Sequence, residues 1–158
     1  MLIIADSSAL ISLAICKKLF LLAELYGEVK VPKAVFSEVT QAGKPQSEIL
    51  RSYLHDKVAD IDLSELMLDF GELGRGELEA IALFKKLHAD LLLLDDKKAR
   101  KIAELNKIPI VGSLGVLLSS KKQGLIKSVK PLIKNLEASG IHISKPLIQR
   151  VLLLAKEA

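Results

Sequence analysis

Short runs of apolar residues alternate along the chain with longer segments in which apolar residues recur every three or four positions. Runs that are apolar at nearly every position are typical of parallel strands buried on both faces. The pattern predicts strands at residues 2–5, 28–31, 91–94 and 108–111, with a weaker candidate at 58–61. Residues 2–5 and 91–94 are apolar throughout, as central strands of a parallel sheet tend to be.

The longer segments are predicted to be helices. They cover residues 8–15, 17–26, 32–40, 45–55, 64–70, 76–88, 96–106, 113–123, 129–139 and a last helix from Ser144 to the C-terminus. Stretches with glycine at 41–45 and 70–76 are predicted to be loops. This alternation predicts one α/β domain over residues 1–158, with a three-layer α/β/α architecture and a mostly parallel central sheet of four to five strands.

The composition is typical of a globular protein, with 158 residues of which 50% are hydrophobic and 27% charged. A net charge of +4 is compatible with a polyanionic partner. Only 4% of residues are aromatic, which argues against base stacking as the main way of holding nucleic acid. Cys16 is the only cysteine, so an internal disulfide and a metal site built from cysteines are excluded. We expect a cytoplasmic protein with no membrane partner, since neither a signal peptide nor a membrane span is evident.

Acidic residues directly follow two of the predicted strands. Asp6 follows the first strand, and Asp95 and Asp96 follow the run of four leucines. Because ligands of open parallel sheets bind beyond the carboxyl ends of the strands, these acids are candidate functional groups. The alternative is that Asp6 and Asp96 cap the helices that follow them, although Ser7 and Ser8 are also able to cap the first helix.

Glu77 lies in the first turn of the helix predicted at 76–88. At about 100° per residue, it lies on the apolar face with Ile81, whereas Glu79 points to the opposite, solvent side. A buried ionised carboxylate is costly unless it is paired or bound to a metal. A functional role is therefore favoured for Glu77, with a buried pair to Arg75 or a lysine as the alternative.

Carboxylates that converge on one pocket repel each other, so some of them take up protons unless a cation is bound. Hard oxygen ligands without Cys or His select Mg²⁺ or Mn²⁺ over zinc, and these ions are suited to cleaving phosphodiesters. Arg75 is the best single candidate for a phosphate contact. Other basic residues either flank such a pocket or form solvated helix faces, namely Lys97, Lys98, Arg100, Lys101, Lys121 and Lys122.

Five motifs, in order and at fitting spacing, resemble those of the PIN domain family over nearly the whole chain. They are IADSSALI at 4–11, VFSEV at 35–39, LGRGELEAIAL at 73–83, LDDKKAR at 94–100, and VGSLGVL at 111–117 followed by KKQGLI at 121–126. The last motif is similar to that of a prokaryotic, VapC-like subgroup long catalogued as a domain of unknown function.

The resemblance implies a parallel sheet flanked by helices and metal-dependent RNA cleavage, as in VapC-type toxins of toxin–antitoxin pairs. The implied cofactor is Mg²⁺ or Mn²⁺, and the implied partners are RNA, an antitoxin protein and a second copy of the chain. By position, the catalytic candidates are Asp6, Glu38, Glu77 and Asp96, and the metal ligands are drawn from Asp6, Glu77, Asp95 and Asp96. Ser8, Arg75 and Ser113 are candidates for positioning substrate, water or metal.

The main alternative is a non-catalytic PIN-like module that binds nucleic acid or a protein. A receiver domain is disfavoured because Asp6 is followed by Ser7 and not by a second acid. A phosphatase with Asp-x-Asp after its first strand is disfavoured because position 8 is serine. The C-terminal helix has a wide apolar face, which is more often core than interface.

Overall fold

The central sheet of the protein is entirely parallel. The computed structural model describes residues 1–63 and 73–158, so the helix predicted at 64–70 and part of the loop predicted at 70–76 lie outside the described residues. The strands are β1 Leu2–Ala5, β2 Glu28–Pro32, β3 Val58–Ala59, β4 Leu91–Leu93 and β5 Ile110–Val111. Their order in the sheet is β3-β2-β1-β4-β5, which confirms the predicted parallel sheet.

β1 lies at the centre of the sheet, since its side chains are apolar on both faces of the strand. Ile3, Ile4 and Ala5 are fully buried. Ile3 is in register with Val29 of β2, and Ile4 with Leu92 of β4. Since successive side chains of a strand point to opposite faces, Ile3 joins the core on one face of the sheet and Ile4 joins the core on the other.

Helices cover both faces of the sheet. The described residues contain α1 Ser7–Ile15, α2 Phe20–Tyr26, α3 Lys33–Val39, α4 Ser47–Leu54, α5 Arg75–Lys86, α6 Lys97–Leu105, α7 Ser113–Lys122, α8 Lys130–Ala138 and α9 Lys145–Leu154. α5 and α6 pack on the Ile4 face, and the other seven contribute to the core on the Ile3 face. The three-layer α/β/α architecture is therefore confirmed. Among the helices described here, none combines the length and apolarity needed to cross a bilayer.

The predicted boundaries differ from the observed ones mainly at segment ends. β5 has two residues where four were predicted, and β4 ends at Leu93. The second helix begins at Phe20 and not at residue 17, because Lys17 has a left-handed φ of 57°. A left-handed residue ends one helix and redirects the chain before the next.

The strand order reverses direction at β1. From β1 the chain continues to β2 and β3 on one side, and it then crosses to β4 and β5 on the other side. In open α/β sheets, ligands bind in the crevice beyond the carboxyl ends of the strands at such a reversal. The ends of β1 and β4, followed by Asp6 and by the Asp95–Asp96 pair, therefore lie where a functional site is expected.

Candidate active site

Asp6 is a buried acid at the carboxyl end of the central strand. The residue is 3% exposed. It occupies the N-cap position of α1, yet its side chain makes no capping hydrogen bond. Capping therefore does not account for the burial of this carboxyl group, and the alternative interpretation of Asp6 is removed.

The surroundings of Asp6 oppose its ionisation. The pKa of its carboxyl group is raised from 3.8 to about 7. Burial is the main cause, a hydrogen bond with the Ser7 backbone acts in the opposite direction, and the charges of Glu77, Glu38 and Asp96 add to the rise. The four acids predicted as the catalytic set are thus close enough in the structure for their charges to interact.

Glu38 reaches the site from α3 and is held there by a hydroxyl group. Ser7 Oγ donates a hydrogen bond of 2.8 Å to Glu38 Oε2. Gly76 of α5 packs closely against the same carboxylate, since a Cβ at this position would lie 3.0 Å from Glu38 Oε2 and 3.8 Å from Asp6 Oδ1. The absence of a side chain at Gly76 therefore lets α5 approach the acids of β1 and α3.

Glu77 and Asp96 each direct one carboxylate oxygen to a backbone amide at the start of their own helix. The Gly74 amide donates to Glu77 Oε2 at 2.7 Å, and the Ala99 amide donates to Asp96 Oδ2 at 2.9 Å. Both acids are half-buried. For Asp96 the capping interpretation is therefore confirmed, although capping uses only one of the two oxygens of this carboxylate.

The four acids open into a cleft of about 850 Å³, which we call the acidic cleft. It is lined by Asp6, Ser7, Ser8, Lys33, Ala34, Ser37, Glu38, Gln41, Asp60, Ile61, Gly74, Arg75, Gly76, Glu77, Glu79 and Asp96. Ser8 and Arg75, which were predicted to position substrate, are thus placed in the cleft. Asp60 also lines the cleft and was not predicted as a site residue. β3 ends at Ala59, so Asp60 follows it directly, whereas the strand predicted at 58–61 included Asp60 and hid this position.

Asp95 and Ser113, both predicted site residues, bind each other and do not line the acidic cleft. The Ser113 amide donates to Asp95 Oδ1 and its hydroxyl group donates to Asp95 Oδ2, each at 2.7 Å. A Cβ at the neighbouring Gly112 would lie 2.9 Å from Asp95 Oδ1, so the contact is tight. The pair joins the end of β4 to the start of α7. Of the two adjacent aspartates, Asp96 is the one in the cleft.

Glu79 lies in the protein interior, and the prediction that it points to solvent was wrong. The residue is 4% exposed. Its carboxylate accepts hydrogen bonds from the Ala34 amide at 3.1 Å and from Arg75 Nε at 2.8 Å. The helical wheel assumed one buried face, whereas α5 packs against both the sheet and α3. The four-residue spacing of Arg75 and Glu79 was the sequence signal for this ion pair.

The six lysines and arginines that were considered either to flank the pocket or to form solvated helix faces are not among the described residues that line the acidic cleft. Arg100 Nη1 instead donates to the Leu94 carbonyl at 3.0 Å. Lys121 donates to the carboxylate of Glu157 at 2.9 Å, near the C-terminus. The cations that do line the cleft are Lys33 and Arg75.

A family model described as PIN domain matches residues 2–157, which is almost the entire chain. The chain belongs to the PIN domain family. PIN domains are typically metal-dependent nucleases that act on nucleic acid. Searches of the curated proteins and of the solved structures give no significant match.

The acidic cleft of this PIN domain fits a divalent cation in donor type and in charge. Its carboxylate oxygens are the ligands that Mg²⁺ and Mn²⁺ prefer. The pKa of Asp6 is raised mainly by burial and further by the charges of Glu77, Glu38 and Asp96, and a bound cation would offset both effects. Within residues 1–63 and 73–158, however, no three His, Cys, Asp or Glu side chains are arranged as a finished metal site. Glu77 and Asp96 each have a second carboxylate oxygen that an ion is able to bind. The residues therefore fit a cation, although their side chains are not fully preorganised for it.

Proposed function

We propose that this PIN domain protein is a metal-dependent ribonuclease that hydrolyses RNA phosphodiester bonds. The observation that supports this most is Asp6, a buried carboxyl group with no capping role and a pKa of about 7. Grouping it with three other acids costs stability unless a cation compensates the charge. The proposal treats residues 1–158 as one cytoplasmic domain with RNA as its substrate.

The proposal gives each acid of the cleft a separate role. Asp6, Glu77 and Asp96 would hold Mg²⁺ or Mn²⁺, which when bound lowers the pKa of a water molecule and stabilises charge on the phosphate oxygens. Glu38 lies at the edge of this group, where the hydrogen bond from Ser7 fixes its carboxylate and lets it orient the attacking water. Ser8, which is exposed in the cleft, offers a hydroxyl group to water or phosphate.

Asp95 and Ser113 have a structural role in this proposal and do not take part in the chemistry. Both oxygens of Asp95 already accept hydrogen bonds from Ser113, and neither residue lines the acidic cleft. Their interaction fixes the loop after β4, and it thereby helps to hold the adjacent Asp96 in place.

The test is RNA cleavage by purified wild type, Asp6→Asn and Asp56→Asn in buffers containing Mn²⁺, Mg²⁺ or EDTA. Asp56→Asn is the matched control, because it makes the same chemical change at an exposed position outside the cleft. We expect cleavage by the wild type and the control with metal, no cleavage in EDTA, and loss of cleavage to background in Asp6→Asn. Equal cleavage by Asp6→Asn and the wild type would show the assignment to be wrong.

A non-catalytic RNA-binding module is the second candidate function. It is favoured by the hydrogen bonds that Glu38, Glu77 and Asp96 already accept, because these bonds satisfy part of each carboxylate without metal. This alternative predicts no RNA turnover with any divalent metal, together with RNA binding by Asp6→Asn that equals binding by the wild type.

The resemblance to VapC-type proteins extends the first proposal to a toxin that an antitoxin protein inhibits, with the chain acting as a homodimer. A ribonuclease toxin arrests growth when its synthesis is induced in a bacterial host, and we expect Asp6→Asn to relieve the arrest. Sedimentation of the purified chain measures the homodimer directly. Normal growth of cells that make the active wild-type enzyme would contradict the toxin role but not the ribonuclease activity.

A further inference from the structure

Two cations lie along one wall of the acidic cleft, where α3 meets α5. Lys33 begins α3 and Arg75 begins α5, and both line the cleft. Lys33 is exposed and forms no ion pair within the described part of the chain. The side chain of Arg75 is 77% exposed. Both positive charges are therefore accessible from the cleft, and most other charged groups that line it are carboxylates.

Glu79 binds the side chain of Arg75 and the backbone next to Lys33. Its side chain is 6% exposed, and its carboxylate accepts hydrogen bonds from Arg75 Nε and from the amide of Ala34, the residue that follows Lys33. Because Glu79 uses only the Nε atom of Arg75, the two terminal nitrogens of the guanidinium group have no hydrogen-bond partner within residues 1–63 and 73–158 and are able to bind another anion. A buried ionised carboxylate needs such partners, so Glu79 holds Arg75 in a fixed orientation and fixes the start of α3 relative to α5.

We propose that Lys33 and Arg75 form a phosphate-binding wall for single-stranded RNA within the acidic cleft, and that Glu79 positions this wall by holding Arg75 and the start of α3. Lys33 precedes Glu38 by five residues, which corresponds to about 7.5 Å along a helix. A phosphate at Lys33 therefore belongs to a nucleotide next to the cleaved bond and not to the bond itself. The wall offsets the repulsion that a polyanion meets in a cleft whose described lining has six acidic residues and two basic ones. This inference rests on the proposed function, because it takes RNA as the ligand.

The wall is tested by RNA binding without metal, so that cleavage plays no part. The probe is a fluorescein-labelled single strand of about 12 nucleotides, within the range of ~4–16 that single-strand-binding grooves cover. Its anisotropy is measured in EDTA at several salt concentrations. Lys33→Ala and Arg75→Ala are compared with Lys134→Ala and Arg150→Ala, which remove the same charges from exposed positions outside the cleft.

We expect each wall variant to bind the RNA about three- to fivefold more weakly than its matched control, as is typical of one exposed charge contact. We also expect the slope of log affinity against log salt to fall by about 0.7 in each wall variant, since each phosphate contact releases counterions. Affinities and slopes equal to those of the controls would overturn the proposal. Lys33→Ala and the two control substitutions change exposed side chains, so these variants are expected to fold. Arg75→Ala also removes the ion-pair partner of buried Glu79, so its unfolding in urea is measured beside its RNA binding, and Lys33→Ala alone is sufficient to overturn the proposal.

Glu79 is tested by Glu79→Gln, with Glu48→Gln as the control for removing one negative charge at an exposed position. Removing a negative charge favours RNA binding by simple electrostatics, so the control is expected to bind RNA as well as the wild type or better. A positioning role predicts the opposite for Glu79→Gln, namely weaker binding and a smaller salt slope. A gain equal to that of Glu48→Gln would show that Glu79 does not position the wall.

The outcome for the wall is independent of the outcome for the ribonuclease. If Asp6→Asn abolishes cleavage while Lys33→Ala and Arg75→Ala bind RNA like their controls, the proposed function stands and the wall is wrong. If Asp6→Asn cleaves like the wild type but the wall variants lose affinity and salt slope, the wall stands and the catalytic assignment is wrong.

Discussion

Replacing Asp6 by asparagine should stabilise the metal-free protein at alkaline pH, although the substitution removes one of the four acids of the acidic cleft. The buried carboxyl group has a pKa of about 7 in the folded protein and an ordinary value of 3.8 when the chain is unfolded. The acid form therefore favours folding. Its contribution is fully present below pH 3.8 and is lost as the pH rises through 7, because ionisation is easier in the unfolded chain.

The size of this effect follows from the shift in pKa. A rise of about three units corresponds to about 4 kcal/mol in the free energy of unfolding, at 1.36 kcal/mol per unit. Solvent screening reduces this value little, since Asp6 is 3% exposed. Asparagine does not ionise, so Asp6→Asn lacks this loss of stability. The difference in unfolding free energy between variant and wild type should thus rise by about 4 kcal/mol between pH 4 and pH 8. Any constant cost of burying an amide cancels in this comparison.

The assay is urea unfolding followed by circular dichroism, in EDTA, at a series of pH values from 4 to 8. Asp56→Asn, at an exposed position, is the matched control and should show no comparable gain on the alkaline side. Addition of Mn²⁺ at pH 8 should stabilise the wild type more than Asp6→Asn, because an ion that binds only the folded state shifts the equilibrium. If the stability difference between Asp6→Asn and the wild type is the same at pH 4 and pH 8, the account of Asp6 as a strained acid is refuted.

Two further predictions concern other residues. Gly76→Ala places a methyl group 3.0 Å from Glu38 Oε2 and should displace this carboxylate. Kinetic assays should then show RNA cleavage reduced by up to ~10²-fold. Urea unfolding should show a free energy of unfolding that is unchanged or higher by up to ~1 kcal/mol. A large loss of stability with normal cleavage would contradict this. The pKa of Glu157 is lowered to about 2, because hydrogen bonds from the Val129 amide, the Lys121 ammonium group and the Lys130 amide outweigh a rise caused by desolvation. Glu157→Gln should therefore lower the free energy of unfolding, measured with urea, by roughly 1–3 kcal/mol at pH 7. The difference from the wild type should shrink as the pH falls from 4.5 to 2. A deficit that is constant with pH would show that the charge of Glu157 is not what stabilises the C-terminus.

The fold followed from the sequence where burial alone decides the structure. Parallel strands covered on both faces tend to be apolar at nearly every position, and the runs that form β1 and β4 are apolar throughout. β3 and β5 have only two residues each in the structure, so their sequences carry a weak signal. The position of Asp60 was therefore missed, although it follows the same rule as Asp6.

The acids of the cleft were predictable as a group, but their partners were not. Position after a strand selected Asp6 and the Asp95–Asp96 pair. Which aspartate enters the cleft depends on the Ser113 hydroxyl group, which comes 18 residues after Asp95 in the chain. Glu79 was misplaced because a helical wheel describes one helix at a time, whereas the burial of Glu79 depends on α3 as a second neighbour of α5.

The strand order also determines which strand edges are unpaired while the chain is being synthesised. β1 pairs with β2 soon after both are made, but its other edge has no partner until β4 emerges 86 residues later. At ~5–20 residues per second, this apolar edge stays open for about 4–17 s, during which it is a site for aggregation or for chaperone binding. Asp96 emerges just after β4, so the nascent chain acquires its missing strand and its fourth acid together. An incomplete chain therefore carries no complete acidic cleft.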